Sequence, residues 1–215
     1  VPVVALFDGG RQPVNAIGPG GTGFVALART PFYLEAGGQV SDTGRLIGTG
    51  TSAIVEGISR IGPGLPRAHQ VRVETGTLRV GGTVTAEVDA TMRDATRRNH
   101  TATHLLHAAL REVLGAHVKQ AGSLVAPDRL RFDYTHFAPL TDREIEEIEE
   151  KINQVVFRNL PVQTRVMEIN DAIASGALAF FGERYAQQVR VVSIPEVSME
   201  LCGGTHTKMD PTSRG

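Results

Sequence analysis

The chain has 215 residues, of which 41% are hydrophobic and 21% charged, and its formal net charge is −1. That balance belongs to a globular protein with a sizeable core; it excludes a disordered chain and a nucleic-acid binder that is basic throughout. A single cysteine, Cys202, excludes a disulfide scaffold and makes a reduced, cytoplasmic setting the expectation.

No apolar run approaches the roughly 18–20 residues of a membrane span. The start, "VPVVALFDGG", lacks the basic region and cleavage site of a secretory signal. It also lacks Met and begins inside an apolar run, so a piece of a longer chain is expected. Residues 1–90 predict strands. "VPVVALFDGG", "GFVALART", "AIVEGISRIG", "HQVRVETGTLRV" and "TVTAEVDA" are short runs rich in Val, Ile and Thr, parted by turns such as "GPGGTG" and "IGPGLP". Many short strands with Gly-rich turns point to a small antiparallel β-barrel or sandwich.

At Thr91 the texture changes. "DATRRNHTATHLLHAALREVLG" places Leu105, Ala109 and Val113, flanked by Leu106, Leu110 and Leu114, on a helical stripe. Asp94 is the expected N-cap and Gly115 the expected stop. "HVKQAGSLVA" and "RLRFDYTHF" read as two strands joined at "PD". "LTDREIEEIEEKINQVVFRN" reads as a second helix. Its Thr141 and Glu144 suit a capping box, and Ile145, Ile148, Ile152 and Val155 form its stripe. The run Glu146, Glu147, Glu149 and Glu150 is a solvated face. "PVQTRVMEI" is a strand, "NDAIASGALAFF" a short helix capped by Asn170 or Asp171, and "QQVRVVSI" and "VSMELC" are strands. The expected class is α+β: a barrel domain over residues 1–90, then an α+β domain with an antiparallel sheet and flanking helices over residues 91–215.

"NHTATHLLH" sets His100 and His104 one turn apart, on one helix face with Cβ atoms about 5–6 Å from each other. That pair alone is a common polar helix face. "LCGGTHT" adds Cys202 and His206, with Gly203 and Gly204 between them to turn a tight loop. Three imidazoles and one thiolate complete a tetrahedral set for Zn²⁺. The competing reading is an inert buried cysteine and a loop histidine. His107 could be a further ligand, but a role behind the ligands or as a packed neighbour is the expectation. Four ligands held at once would close the ion to substrate, and one loosely held would leave a position open; the spacing admits both.

These residues resemble the editing domain of alanyl-tRNA synthetases and its free-standing AlaX-type trans-editing relatives. The resemblance rests on His100, His104, Cys202 and His206, and on "RTPFYLEAGGQVSDTG" with Tyr33, Glu35, Gly37, Gly38, Gln39, Asp42 and Gly44. "VKQAGSLV…LRFDYTHF" resembles the hairpin after the metal helix. Threonyl-tRNA synthetases carry a related domain without the Gly-Gly-Gln segment. The resemblance implies a zinc-dependent deacylase of Ser-tRNA(Ala) or Gly-tRNA(Ala) that meets the tRNA acceptor end. It implies further synthetase domains, ATP use included, elsewhere in a longer chain; nothing here resembles an aminoacylation domain. It also implies a second domain cut short, since only "TKMDPTSRG" follows His206. Gln120 and Ser123 match positions that line the family's pocket. Thr103, beside His104, is a further polar candidate; Gln120 and Thr103 are the expected catalytic pair. Ser123, Thr30, Gly37, Gly38 and Gln39 are the expected substrate contacts, the two glycines allowing either close approach of RNA or a plain turn. Arg93, Arg97, Arg98, Lys119, Arg129 and Arg131 are the candidate phosphate-facing cations.

Overall fold

In the computed structural model, residues 1–62, 67–179 and 186–207 are described. Parts of two expected features, the "IGPGLP" turn and the end of the "NDAIASGALAFF" helix, lie outside them, as does nearly all of the C-terminal tail. The chain divides into two compact units, Val1–Ala36 with Val40–Asp94, and Gly37–Gln39 with Ala95 onward. It is a mixed α and β protein with antiparallel sheets.

The first unit consists of β1 (Val3–Asp8), β2 (Pro13–Val14), β3 (Ala16–Ile17), β4 (Thr22–Leu27), β5 (Gly44–Gly48), β6 (Thr51–Arg60), β7 (Arg67–Thr75), β8 (Leu78–Arg79) and β9 (Thr85–Val88). Alternation drives the strands: in β7, Val71 and Val73 are buried while Arg72 and Glu74 are exposed. Leu6, Val25, Leu46, Val55, Val71 and Val73 form its core. Each such side chain stabilises the fold by about 1.5–3 kcal/mol when fully buried. Seven strands pair in the order β2-β1-β4-β7-β6-β5-β9, and β3 pairs with β8.

No closed ring of strands is found among the described residues, so the expected antiparallel pairing is present and the expected closure has no complete ladder behind it. Turn composition and alternation do not encode closure, which is set by stagger across the whole sheet. Residues 1–3 do hydrogen-bond the stretch leading into β9: Val3 N–H donates to Gly82 O (2.8 Å) and Val84 N–H to Val1 O (3.0 Å).

Inside this unit His69 is buried, with Nδ1 at 2.8 Å from the Val25 carbonyl and Nε2 at 2.7 Å from the Thr30 hydroxyl. Burial lowers its pKa, opposed in part by the Val25 bond. The folded form then binds the proton less readily than the unfolded one. His69 therefore costs no stability above its ordinary value of about 6.5, and destabilises the fold as pH falls below it by up to about 1.4 kcal/mol per pH unit. Thermal melts between pH 7.5 and 5.5 are expected to show a steeper acid loss in the native protein than in His69→Phe. Parallel slopes would remove His69 as the cause.

The boundary between the units falls within α1 (Ala90–Leu114). The helix starts earlier than the apolar stripe indicates. Asp89, not Asp94, caps it, its Oδ1 accepting from the Met92 backbone N–H at 3.0 Å. The first turn, Ala90-Thr91-Met92-Arg93, lies ahead of the apolar stripe, so hydrophobic periodicity could not mark the start. Gly115 stops the helix with φ 116°. Next come β10 (Gln120–Val125) and β11 (Leu130–Tyr134), an antiparallel hairpin with a bulge after Gln120.

In α2 (Asp142–Arg158) both reciprocal bonds of the Thr141/Glu144 capping box are present. Of its expected stripe Ile148 is buried, Ile152 is partly buried against the same cluster, and Ile145 is exposed. After β12 (Gln163–Glu168) comes α3 (Ile169–Ala174), capped by Glu168 without a side-chain bond. Asn170 and Asp171, the expected caps, lie in its first turn. β13 (Gln188–Ile194) and β14 (Ser198–Leu201) complete a sheet of order β12-β13-β14. Among the described residues no helix is long and apolar enough to cross a membrane.

Candidate metal centre

Two elements of the second unit supply the donors. α1 presents His100 and His104, and the turn after β14 presents Cys202 and His206. One donor atom from each lies within 4.8 Å of every other. The Cys202 sulfur is 3.4 Å from His100 Nε2 and 3.3 Å from His206 Nε2. Thiolate and imidazole donors sharing a tetrahedral zinc stand about 3.5 Å apart. All three histidines are buried, so the donors converge away from bulk water.

Each imidazole is fixed from behind. His100 Nδ1 donates to Gln39 Oε1 at 2.7 Å. His104 Nδ1 donates to Glu200 Oε2 at 2.8 Å. His206 Nδ1 is 3.3 Å from the Thr101 hydroxyl, which also accepts from the Thr207 N–H. Gln39 Oε1 and Glu200 are acceptors, so the proton sits on Nδ1 and the Nε2 lone pair turns inward. A metal-binding histidine is typically oriented this way. The loop carbonyls of Cys202 and Gly204 both accept from Arg190, at 2.9 and 2.6 Å, and the Gly204 N–H points at the Cys202 sulfur at 3.4 Å.

Charge follows this geometry. Burial pushes the Cys202 thiol up, but the bonds from His100, His104 and His206 prevail and bring it down to about 3. Burial likewise lowers His104, yet Glu200 and Cys202 raise it to about 10, and burial raises Glu200 while His104 and His107 hold it at about 2. Burial is the main cause that takes His206 down to about 4, leaving it a neutral ligand. A proton and a cation compete here for the same lone pairs. Four donors of this chemistry, oriented this way, suit a borderline-soft divalent metal.

The other expected site residues are placed as follows. Gln39 is fully buried (0% exposed) and its amide is engaged inside the protein: Oε1 also accepts from Thr205 N–H at 2.8 Å and Nε2 donates to the Thr205 hydroxyl at 2.9 Å. It stands behind His100 rather than facing a pocket. Gly37 and Gly38 have φ 58° and 81°, and a Cβ on Gly38 would strike the Ser123 carbonyl. The Gly38 carbonyl accepts from Val125 N–H at 2.8 Å, which holds this segment against β10 and brings Gln39 to His100. Close approach to β10 is thus what the second glycine permits.

Thr103 is buried and its hydroxyl donates to the Asn99 carbonyl at 2.8 Å. Gln120 and Ser123 are half-buried on β10. Thr30 belongs to the first unit, where its hydroxyl meets His69 and accepts from Phe32 N–H. Of the candidate cations, Arg93 is ion-paired with Asp42, Arg129 with Asp128 and Arg131 with Asp133, which weakens the case for a phosphate-facing patch there.

Sequence reading missed Glu200, Thr101 and Arg190. Glu200 carried a signal: a lone carboxylate in the apolar strand "SMEL", two residues before Cys202 and so on the same strand face.

Residues 1–92 match the family described as tRNA synthetases class II (A), so a synthetase relationship extends to the part in which the sequence reading saw no synthetase core. Residues 189–208, which contain Cys202 and His206, match the Threonyl and Alanyl tRNA synthetase second additional domain. The chain is 50% identical over 204 residues to the alanine--tRNA ligase of Halorhodospira halophila, covering 95% of this chain and 23% of that protein. It is 53% identical over 188 residues to that of Thermotoga maritima, covering 87% and 22%. It is 52% identical over 206 residues to that of Myxococcus xanthus, covering 95% and 23%. The chain thus spans about a quarter of the length of the curated relatives it matches.

Proposed function

We propose that this chain is the editing region of an alanine--tRNA ligase and hydrolyses the ester joining serine or glycine to the terminal adenosine of tRNA(Ala). His100, His104, Cys202 and His206 would hold zinc. The observation that carries the reading is the buried convergence of these four donors, with Cys202 and His206 inside the stretch that matches the alanyl and threonyl synthetase domain. The relatives' names support the tRNA(Ala) assignment, and their greater length supports a set of further domains. The hydrogen bonds of residues 1–3 to the stretch before β9 support reading the first unit as a small barrel.

The chemical need is plain. An alanine pocket cannot exclude glycine, which is smaller, and rejects serine only by roughly 10–200-fold. A second pocket must then remove the wrong ester and spare alanine by recognising the serine hydroxyl. Thr103 already donates to Asn99, so it has lone pairs with which to accept that hydroxyl. Gln120, with two N–H donors, orients the carbonyl and stabilises the oxyanion that develops as water attacks. Ser123 and the backbone at Gly37 and Gly38 border the bound aminoacyl group. Zinc held by His100, His104, Cys202 and His206 would organise the pocket and would supply positive charge there.

A saturated four-donor set also favours a second reading, a structural zinc in a non-catalytic RNA-binding module. Deacylation of Ser-tRNA(Ala) separates the two. Gln120→Ala is expected to slow it by about 10²–10³-fold, the usual effect of removing one oxyanion donor, with zinc content unchanged. Full activity in Gln120→Ala, with unfolding when a chelator removes the metal, would establish the second reading instead.

A further inference from the structure

Glu200 is 2% exposed and makes two hydrogen bonds to imidazoles that do not share a role. Its Oε2 accepts from His104 Nδ1 at 2.8 Å and its Oε1 from His107 Nδ1 at 2.9 Å. Ser198 donates to Oε1 at 3.2 Å. His104 belongs to the four-donor cluster, and His107, one turn further along α1, does not. β14 is pinned where it carries this carboxylate: Leu201 N–H donates to Leu178 O and Leu178 N–H to Met199 O, both at 2.9 Å.

We infer that Glu200 is a positioning residue of the metal centre, a bridging carboxylate that aims His104 at the metal, with His107 holding that carboxylate in register. This rests on the metal reading above. The support is geometric. Both carboxylate oxygens are engaged by Nδ1 protons of one helix face, so rotation of the His104 ring would break its bond to Oε2 while His107 keeps the carboxylate in place.

The test uses the full chain, with Zn²⁺ affinity measured by chelator competition and the visible ligand-field spectrum recorded with Co²⁺. Glu200→Gln keeps the size but accepts from only one imidazole and carries no charge. It is expected to bind zinc about 10–100-fold more weakly, the usual effect of removing such an outer partner, with a shifted Co²⁺ spectrum. Glu200→Asp keeps the charge and is expected to recover part of the affinity. Equal affinity and an unchanged spectrum in Glu200→Gln would overturn the inference while leaving the metal centre intact. A native chain that takes up neither metal would overturn the metal reading and this inference with it. If Glu200→Gln does not fold, His107→Phe decides. The inference expects about tenfold weaker zinc binding there, the low end of the same range, and unchanged affinity would overturn it.

Discussion

Cys202→Ala is expected to abolish stable zinc binding and, with it, deacylation of Ser-tRNA(Ala). The sulfur is the only anionic donor among the four and stands within 3.4 Å of two imidazole nitrogens. Its thiol is brought down to about 3, so at neutral pH the thiolate is present before any metal arrives. Removing it leaves three imidazoles facing a divalent ion, with the Glu200 carboxylate in contact with His104. Loss of a direct donor should exceed the 10–100-fold typical of an outer partner. Two readouts apply. Elemental analysis after dialysis against a mild chelator should find zinc in the native chain and none in Cys202→Ala. Added zinc should raise the native melting temperature by linkage, RT ln(1 + [L]/Kd), and leave the variant's unmoved. Retention of one zinc per chain by Cys202→Ala would mean that the sulfur is a bystander.

The difference between what the sequence disclosed and what it hid lies in distance along the chain. His100 and His104 share a helix face by periodicity, and Cys202 and His206 share a loop, so each pair was legible from spacing. The Thr141/Glu144 box was legible for the same reason, since both of its bonds close within three residues. Gln39 was visible as part of a glycine-rich run, but its contact is with an imidazole 61 residues away. Only the folded chain, with Gly38 held against β10, reveals that its amide faces His100 rather than a ligand. Glu200 reaches His107 across 93 residues. Local patterns give the direct donors, and tertiary packing supplies the partners that orient them. The cap of α1 was missed for a local reason instead: Asp89 ends a strand-like run, and the apolar stripe begins only further along the helix, so periodicity did not mark it.

Gly204→Ala is expected to damage the centre, whereas Gly203→Ala is expected to be mild. Both glycines lie between Cys202 and His206 and are indistinguishable in sequence. In the fold they differ sharply. A Cβ on Gly203 would meet nothing within 4 Å, and that residue is exposed. A Cβ on Gly204 would fall within the His100 imidazole and 2.9 Å from Gln39 Oε1. Neither neighbour can give way cheaply: His100 is held by Gln39, and Gln39 by Thr205. The loop cannot retreat without breaking the Arg190 bond to the Gly204 carbonyl at 2.6 Å. Overpacking a filled interior costs about 1–3 kcal/mol. Here the displaced group is a donor, so the strain should appear as lost metal affinity as well as lost stability. Chelator competition on the two variants reads this directly. Zinc affinity in Gly203→Ala should stay within about threefold of the native chain, a difference of less than 1 kcal/mol. In Gly204→Ala it should fall by at least tenfold, about 1.4 kcal/mol. Equal affinities in the two variants would show that the close approach of the loop backbone to His100 does not set the donor geometry.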